Sequence, residues 1–153
     1  ACDQTRVFSH WFSDPLNNKL FPEATMGHHS LTHDEPGEQP EVNMVTTFIM
    51  GELAYLVEQL SLVPEGDETL LDHMLVLATS ETSRGQTHSF EEMPLVLAGG
   101  ACGSIRQGIH HRSYTADNTS HVMLSAVRAM GISAPNFGVD GGEVSDGLSE
   151  IEI

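Results

Sequence analysis

The sequence predicts an α/β fold, a mostly parallel sheet flanked by helices, and three observations carry that expectation. Val42, Val45, Ile49, Leu53, Leu56 and Leu60 recur every three or four residues and line one face of a long helix. Residues 74–79 and 95–98 are unbroken apolar runs closed by polar residues or by Gly99-Gly100, the pattern of strands covered on both faces. A second amphipathic helix over about 120–130 follows them, with Met123, Val127 and Met130 on its apolar side.

Taken in order, Arg6-Val7-Phe8-Ser9-His10-Trp11-Phe12 is an aromatic and β-branched run closed by Ser13-Asp14-Pro15, which reads as a strand. From there to Pro40 nothing alternates at strand or helix period, so an ordered loop is expected to carry Gly27-His28-His29-Ser30-Leu31-Thr32-His33-Asp34. The long helix starts at Pro40 and Glu41, where a missing N–H costs nothing and an acid meets the positive dipole end. It should end near Ser61, before Pro64-Glu65-Gly66-Asp67, and residues 70–72 can add a short helical turn. The strand at 74–79 places Ser80-Glu81-Thr82 at its carboxyl end, outside which ligands gather in open α/β sheets. Gly131 suits the C-cap of the second helix. Residues 139–153 hold Gly141-Gly142, Gly147 and five acids, and read as an acidic surface arm, partly disordered.

At 153 residues a single core can bury about two thirds of the unfolded surface, so one domain is expected. Acidic side chains number 22 against 6 basic ones, a formal charge of -16. That balance argues against nucleic acid and anionic membrane, since both require a basic face. The apolar runs fall far short of the ~20 residues that span a bilayer, which argues against membrane insertion. The chain opens without an initiator Met or an export signal and reads like the middle of a longer protein. Of the two cysteines, Cys2 and Cys102, neither lies in a C-x-x-C; one disulfide or two buried thiols both remain open.

The nine histidines are the most informative feature, because His28, His29 and His33 crowd one segment beside Asp34. Imidazole and carboxylate are the usual ligands of zinc, and a spacing of four lets His29 and His33 meet one ion if the segment turns helically. Ser30 follows His29, so the H-E-x-x-H of metalloproteases is absent. Glu81 and His88 could both project into the crevice beyond the strand at 74–79. Cys102 lies in a Gly-rich loop, but beyond Arg106 the sequence indicates no basic or imidazole partner that would make it a thiolate. There is no G-x-S-x-G elbow and no P-loop ending. His110-His111-Arg112 could meet an anion or stand exposed, and the acids after Val139 do not follow the order of a calcium loop.

Several segments resemble one family as a set: Cys2-Asp3-Gln4-Thr5-Arg6-Val7, Gly27-His28-His29-Ser30-Leu31-Thr32-His33, Leu70-Leu71-Asp72, Ser80-Glu81, His88, and Pro94-Leu95-Val96-Leu97-Ala98-Gly99-Gly100. Together they are similar to the C-terminal half of an uncharacterised family of exported bacterial proteins, many with twin-arginine signals, that looks like a distant branch of the alkaline phosphatase and sulfatase superfamily. The resemblance covers about residues 1–138 and leaves 139–153 as a tail. It implies an alkaline phosphatase-like fold, of which this chain would be the C-terminal part, and a periplasmic or extracellular location. It also implies a divalent metal, zinc ahead of calcium or magnesium, held by His29, His33, Glu81 and His88, with His28 and Asp34 beside them. Position by position, His29 stands where the superfamily has Asp, and Thr82 stands where it has His. The implied activity is phosphoric or sulfuric ester hydrolysis on a small anionic substrate, with the nucleophile supplied by the rest of a longer chain or by another chain. A different class remains beside it: a non-catalytic secreted structural or interaction protein that keeps the fold without the chemistry.

Overall fold

Two helices organise the first half of the computed structural model, which describes residues 4–153. α1 (His28–Asp34) forms where a loop was expected. His, Ser and Thr are mediocre helix formers, so the helix is held by tertiary contact: Leu31 is its one buried residue and packs with Phe21 and Val45. α2 (Pro40–Ser61) has the bounds its periodicity predicts, with Pro in its first turn and Glu41 behind it. Glu35 joins the two helices. Its carboxylate, buried between them, accepts from the Glu41 N–H at 2.8 Å and the Val42 N–H at 3.0 Å, meeting two of the donors that a helix start leaves open.

The chain then makes a small hairpin, β1 (Pro64–Glu65) with β2 (Glu68–Thr69), around Gly66 at φ +64°, where a two-residue turn needs a left-handed residue. α3 (Leu70–His73) follows directly, its start fixed by a reciprocal cap between Thr69 and Asp72. β3 (Val76–Thr79) is the first apolar run without its first two residues, and β4 (Leu95–Ala98) is the second. They pair antiparallel, Val76 opposite Ala98 and Thr79 opposite Leu95. α4 (Ser120–Ala129) completes the helices and gives way at Gly131, φ +80°. A second core gathers Ala101, Ile105 and Ile151 with Leu97, Val122 and Leu148.

These pairings overturn the predicted architecture. Among the described residues the only sheets are two antiparallel two-stranded ribbons, and there is no large parallel sheet, so the fold is not alkaline phosphatase-like. Parallel neighbours need a crossover, usually helical, and residues 80–94 form turns and a single 3-10 turn, Gly85–Thr87, so the chain doubles back. The strands are accordingly half-buried rather than covered on both faces. The strand expected at 6–12 does not form and has no partner among the described residues; Val7 is 84% and Trp11 66% exposed. The residues after Val139 are no free arm. Ile151 is buried, Glu152 bridges to Ile105, and buried Ser125 donates to Glu152 Oε1 at 2.7 Å while accepting from the Leu148 N–H at 2.8 Å. Cys2 and Asp3, and with them the question of a Cys2–Cys102 disulfide, lie outside the described residues.

Candidate metal centre

Helix formation over residues 28–34 turns a spacing into a geometry. His29 and His33, four apart, lie on one face of α1 with ring centroids 4.8 Å apart and planes at 64°. The segment before α1 runs beside them: Asn18 exchanges hydrogen bonds with Ser30, and the His28 N–H donates to Lys19 O. This sets the Pro15 carbonyl 2.8 Å from His29 Nδ1. A carbonyl can only accept, so Nδ1 carries the hydrogen and the Nε2 lone pair of His29 is left free, the arrangement that outer-shell carbonyls impose on metal-binding imidazoles.

The third ring arrives from the loop between β3 and β4. Its 3-10 turn, Gly85–Thr87, lies against α1 so closely that a Cβ on Gly85 would stand 2.6 Å from Thr32 Cβ. His88 ends that turn in the left-handed region, φ 50° and ψ 38°, with its N–H on Gly85 O. An Arg84–Ser89 bridge closes the loop behind it. The His88 ring meets His33 edge to face, centroids 5.1 Å apart, and the two Nε2 atoms are separated by 3.4 Å. Two nitrogens bound to one tetrahedral zinc at about 2.0–2.1 Å lie about 3.3–3.4 Å apart, so this pair already has the length of one edge of such a site.

The structure thus brings together His29, His33 and His88 and leaves the other candidates apart. Glu81 follows β3 as an exposed side chain, with no hydrogen bond or ion pair among the described residues. His28 turns to the core, where its ring meets Phe21 edge to face at 5.4 Å; burial first, and the His29 charge second, push its pKa down. Asp34 is exposed at the end of α1. Among the described residues no three His, Cys, Asp or Glu side chains converge on a common point as placed, so the donor set is one assembled edge plus an oriented third ring. Neither Pro15 nor Gly85 carries a donor side chain, which is why the sequence did not single them out.

His88 also borders a cleft of about 1520 Å³, together with Phe90, Arg106, His110, His111 and Arg112. Arg112 is ion-paired with Glu92, and Arg106 donates to Glu150 O at 3.2 Å. Asp117 lines the same cleft, and hydrogen bonds from Thr115 and Ser113 hold its carboxyl below the usual carboxylate range. No family model, curated protein or solved structure matches the chain.

Proposed function

We propose that this chain binds a divalent metal ion through His29, His33 and His88, zinc best matching the donors, and that the centre serves ester hydrolysis at the cleft bordered by His88. The 3.4 Å separation of His33 Nε2 and His88 Nε2 carries the reading. The carbonyl of Pro15 supports it by keeping the hydrogen on His29 Nδ1 and so leaving its Nε2 lone pair free for an ion. Three imidazoles would leave an open ligand position, and the chemistry a bound zinc would supply there is polarisation of a phosphoryl or sulfuryl oxygen and acidification of a bound water. The chain's own part is to orient the donors and to offer an anionic group the imidazoles of His110 and His111 at the cleft.

Zinc titration of metal-free protein in competition with a chromophoric chelator tests the binding. One equivalent should bind, and His33→Ala and His88→Ala should each weaken it at least tenfold, while His28→Ala and Glu81→Ala should leave it unchanged. Equal affinity in all five proteins would sink the donor assignment. Turnover of aryl phosphate and aryl sulfate esters, lost to chelator and restored by zinc, tests the hydrolytic half.

One observation favours a second reading, an interaction protein without catalysis. Val7, Trp11 and Leu16 are 84%, 66% and 80% exposed in the segment before α1, and among the described residues no strand pairs with the outer edges of the β3–β4 ribbon. Under that reading zinc binds with no ester turnover and the protein self-associates in sedimentation.

A further inference from the structure

The turn that follows β4 closes onto the end of α3 through backbone alone. The Gly100 N–H donates to Leu71 O at 3.2 Å and the Ala101 N–H to Met74 O at 3.0 Å. Only glycines permit this approach: a Cβ on Gly99 would stand 2.4 Å from Met74 O, and one on Gly100 2.8 Å from Asp72 O. Ala101 and Cys102 then take left-handed backbone, φ 45° and 55°, and Cys102 is exposed, with no disulfide partner among the described residues. Its Sγ lies 3.3 Å from His73 Nδ1, and His73 Nε2 lies 3.2 Å from Glu68 Oε2. Thiol, imidazole and carboxylate therefore stand in line. The two nitrogens of one imidazole point to opposite sides, so Cys102 and Glu68 do not share an ion through His73; the arrangement is that of a nucleophile, its base and the group that orients the base. A strained non-glycine backbone at the thiol fits such a role.

We propose that Cys102, His73 and Glu68 form a nucleophilic thiol site that takes acyl groups from small, unhindered esters and passes them to water. His73 Nδ1 accepts the thiol proton while Glu68 accepts a hydrogen bond from Nε2–H, which keeps its hydrogen. The sulfur attacks the ester carbonyl carbon; a C–S bond forms, the C–O bond breaks, and the alcohol leaves with the proton from His73. Water then attacks the thioester and gives a proton to Nδ1, the C–S bond breaks, and the acid departs as the thiol regains its proton. Ester and water become acid and alcohol, with no oxidant or reductant consumed. The exposure of Cys102 restricts the substrate to esters that need no deep acyl pocket. None of the three histidines of the candidate metal centre takes part, so the site is indifferent to chelator.

The test uses the reduced full chain with Cys2→Ser, which removes the competing thiol, and 4-nitrophenyl acetate at pH 6.5 with chelator present. The expected result is an acetyl adduct on Cys102 formed about a hundredfold faster than on N-acetylcysteine, followed by multiple turnovers. Cys102→Ser should abolish the reaction and His73→Gln should return it to the free-thiol rate. Glu68 is a positioning residue, so Glu68→Gln should lower the maximal acylation rate at unchanged KM, and Glu68→Asp should largely restore it. Acylation of the unaltered site at the free-thiol rate would overturn the proposal whatever the variants do. So would a thioester that water does not clear, or a rate insensitive to His73→Gln in a variant that melts as the parent does.

Discussion

Gly85→Ala should weaken zinc binding without touching a ligand. The new Cβ would stand 2.6 Å from Thr32 Cβ and 2.9 Å from Thr32 Oγ1, whereas carbons in contact prefer about 3.5–4.0 Å. Both obstructing atoms belong to a helix, so relief requires the Gly85–Thr87 turn and α1 to part by about 1 Å. His88 rides on the turn and His33 on the helix, so that movement stretches the 3.4 Å edge between their nitrogens to more than 4 Å. At about 2.1 Å per bond, two nitrogens that far apart approach a linear arrangement across the ion, which a tetrahedral site does not accept. A displacement of this kind has the size of an outer-shell defect, about 10–100-fold in affinity. Chelator competition reads it directly. The rescue is specific: Thr32→Gly added to Gly85→Ala moves the obstructing carbon across the contact and should recover most of the affinity, at a helix-propensity cost of only a few tenths of a kcal/mol, since Thr is itself a poor helix former. Wild-type affinity in Gly85→Ala, or no recovery in the double variant, would refute the geometry.

Three further outcomes follow from packing and charge. Leu124 is fully buried, and Leu124→Ala should lower the unfolding free energy in urea by about 2–5 kcal/mol; a loss near zero would mean that this face of α4 is not packed in solution. Glu35→Ala removes the acceptor of two N–H groups at the start of α2 and should cost about 1–2 kcal/mol, with a matching loss of helical circular dichroism during early unfolding. Asp72 is held below its ordinary value of 3.8, chiefly by the Thr69 hydroxyl and then by the Thr69 N–H. The unfolded chain therefore binds the more protons between the two values. Its contribution is present above the ordinary value and lost as pH falls through the lowered one, so Asp72→Asn should flatten the acid limb of the stability curve without changing its slope near neutrality.

Much of the helical content was legible because a helix declares itself within a few residues. The six apolar positions from Val42 to Leu60 fix α2, and Pro40 and Gly131 mark boundaries by backbone chemistry that needs no partner. α1 was missed because His28–Asp34 carries only one core residue, Leu31, and its stability comes from Phe21 and Val45, which are distant in sequence. The strand runs were recognised as strands, but not their direction: apolar continuity says that a run is covered, and only the connection says whether its neighbour is parallel. The tail misled for a related reason, since its few apolar residues, Leu148 and Ile151, count for little in composition and much in place. At the candidate site the His29–His33 spacing was readable, whereas His88 joined them only through the resemblance, together with Glu81, which stands apart from them. Their relation to Pro15, and the pairing of His73 with a cysteine 29 residues away, depend on backbone approaches that leave no periodic trace.

Those approaches give the two clusters a common plan, and the plan can be tested through backbone strain. In each, a helix ends near a histidine, a glycine lets a turn close on that helix, and the facing residue sits in left-handed backbone: His88 at φ 50° opposite His33, Cys102 at φ 55° opposite His73. Left-handed backbone costs a non-glycine residue about 1–2 kcal/mol. Glycine is free of that penalty, whereas alanine keeps it after the functional side chain is gone. At ordinary positions glycine is the more destabilising replacement by about 0.5–1 kcal/mol. At these two the order should invert, with His88→Gly more stable than His88→Ala, and Cys102→Gly more stable than Cys102→Ala, each by about 1 kcal/mol in urea. Such an inversion would place the strain in the backbone of the folded state, where only the side chains gain from it, as expected of positions kept for chemistry rather than for stability. If alanine proves the better replacement at either position, the left-handed turn does not persist in solution and the cluster built on it loses its support.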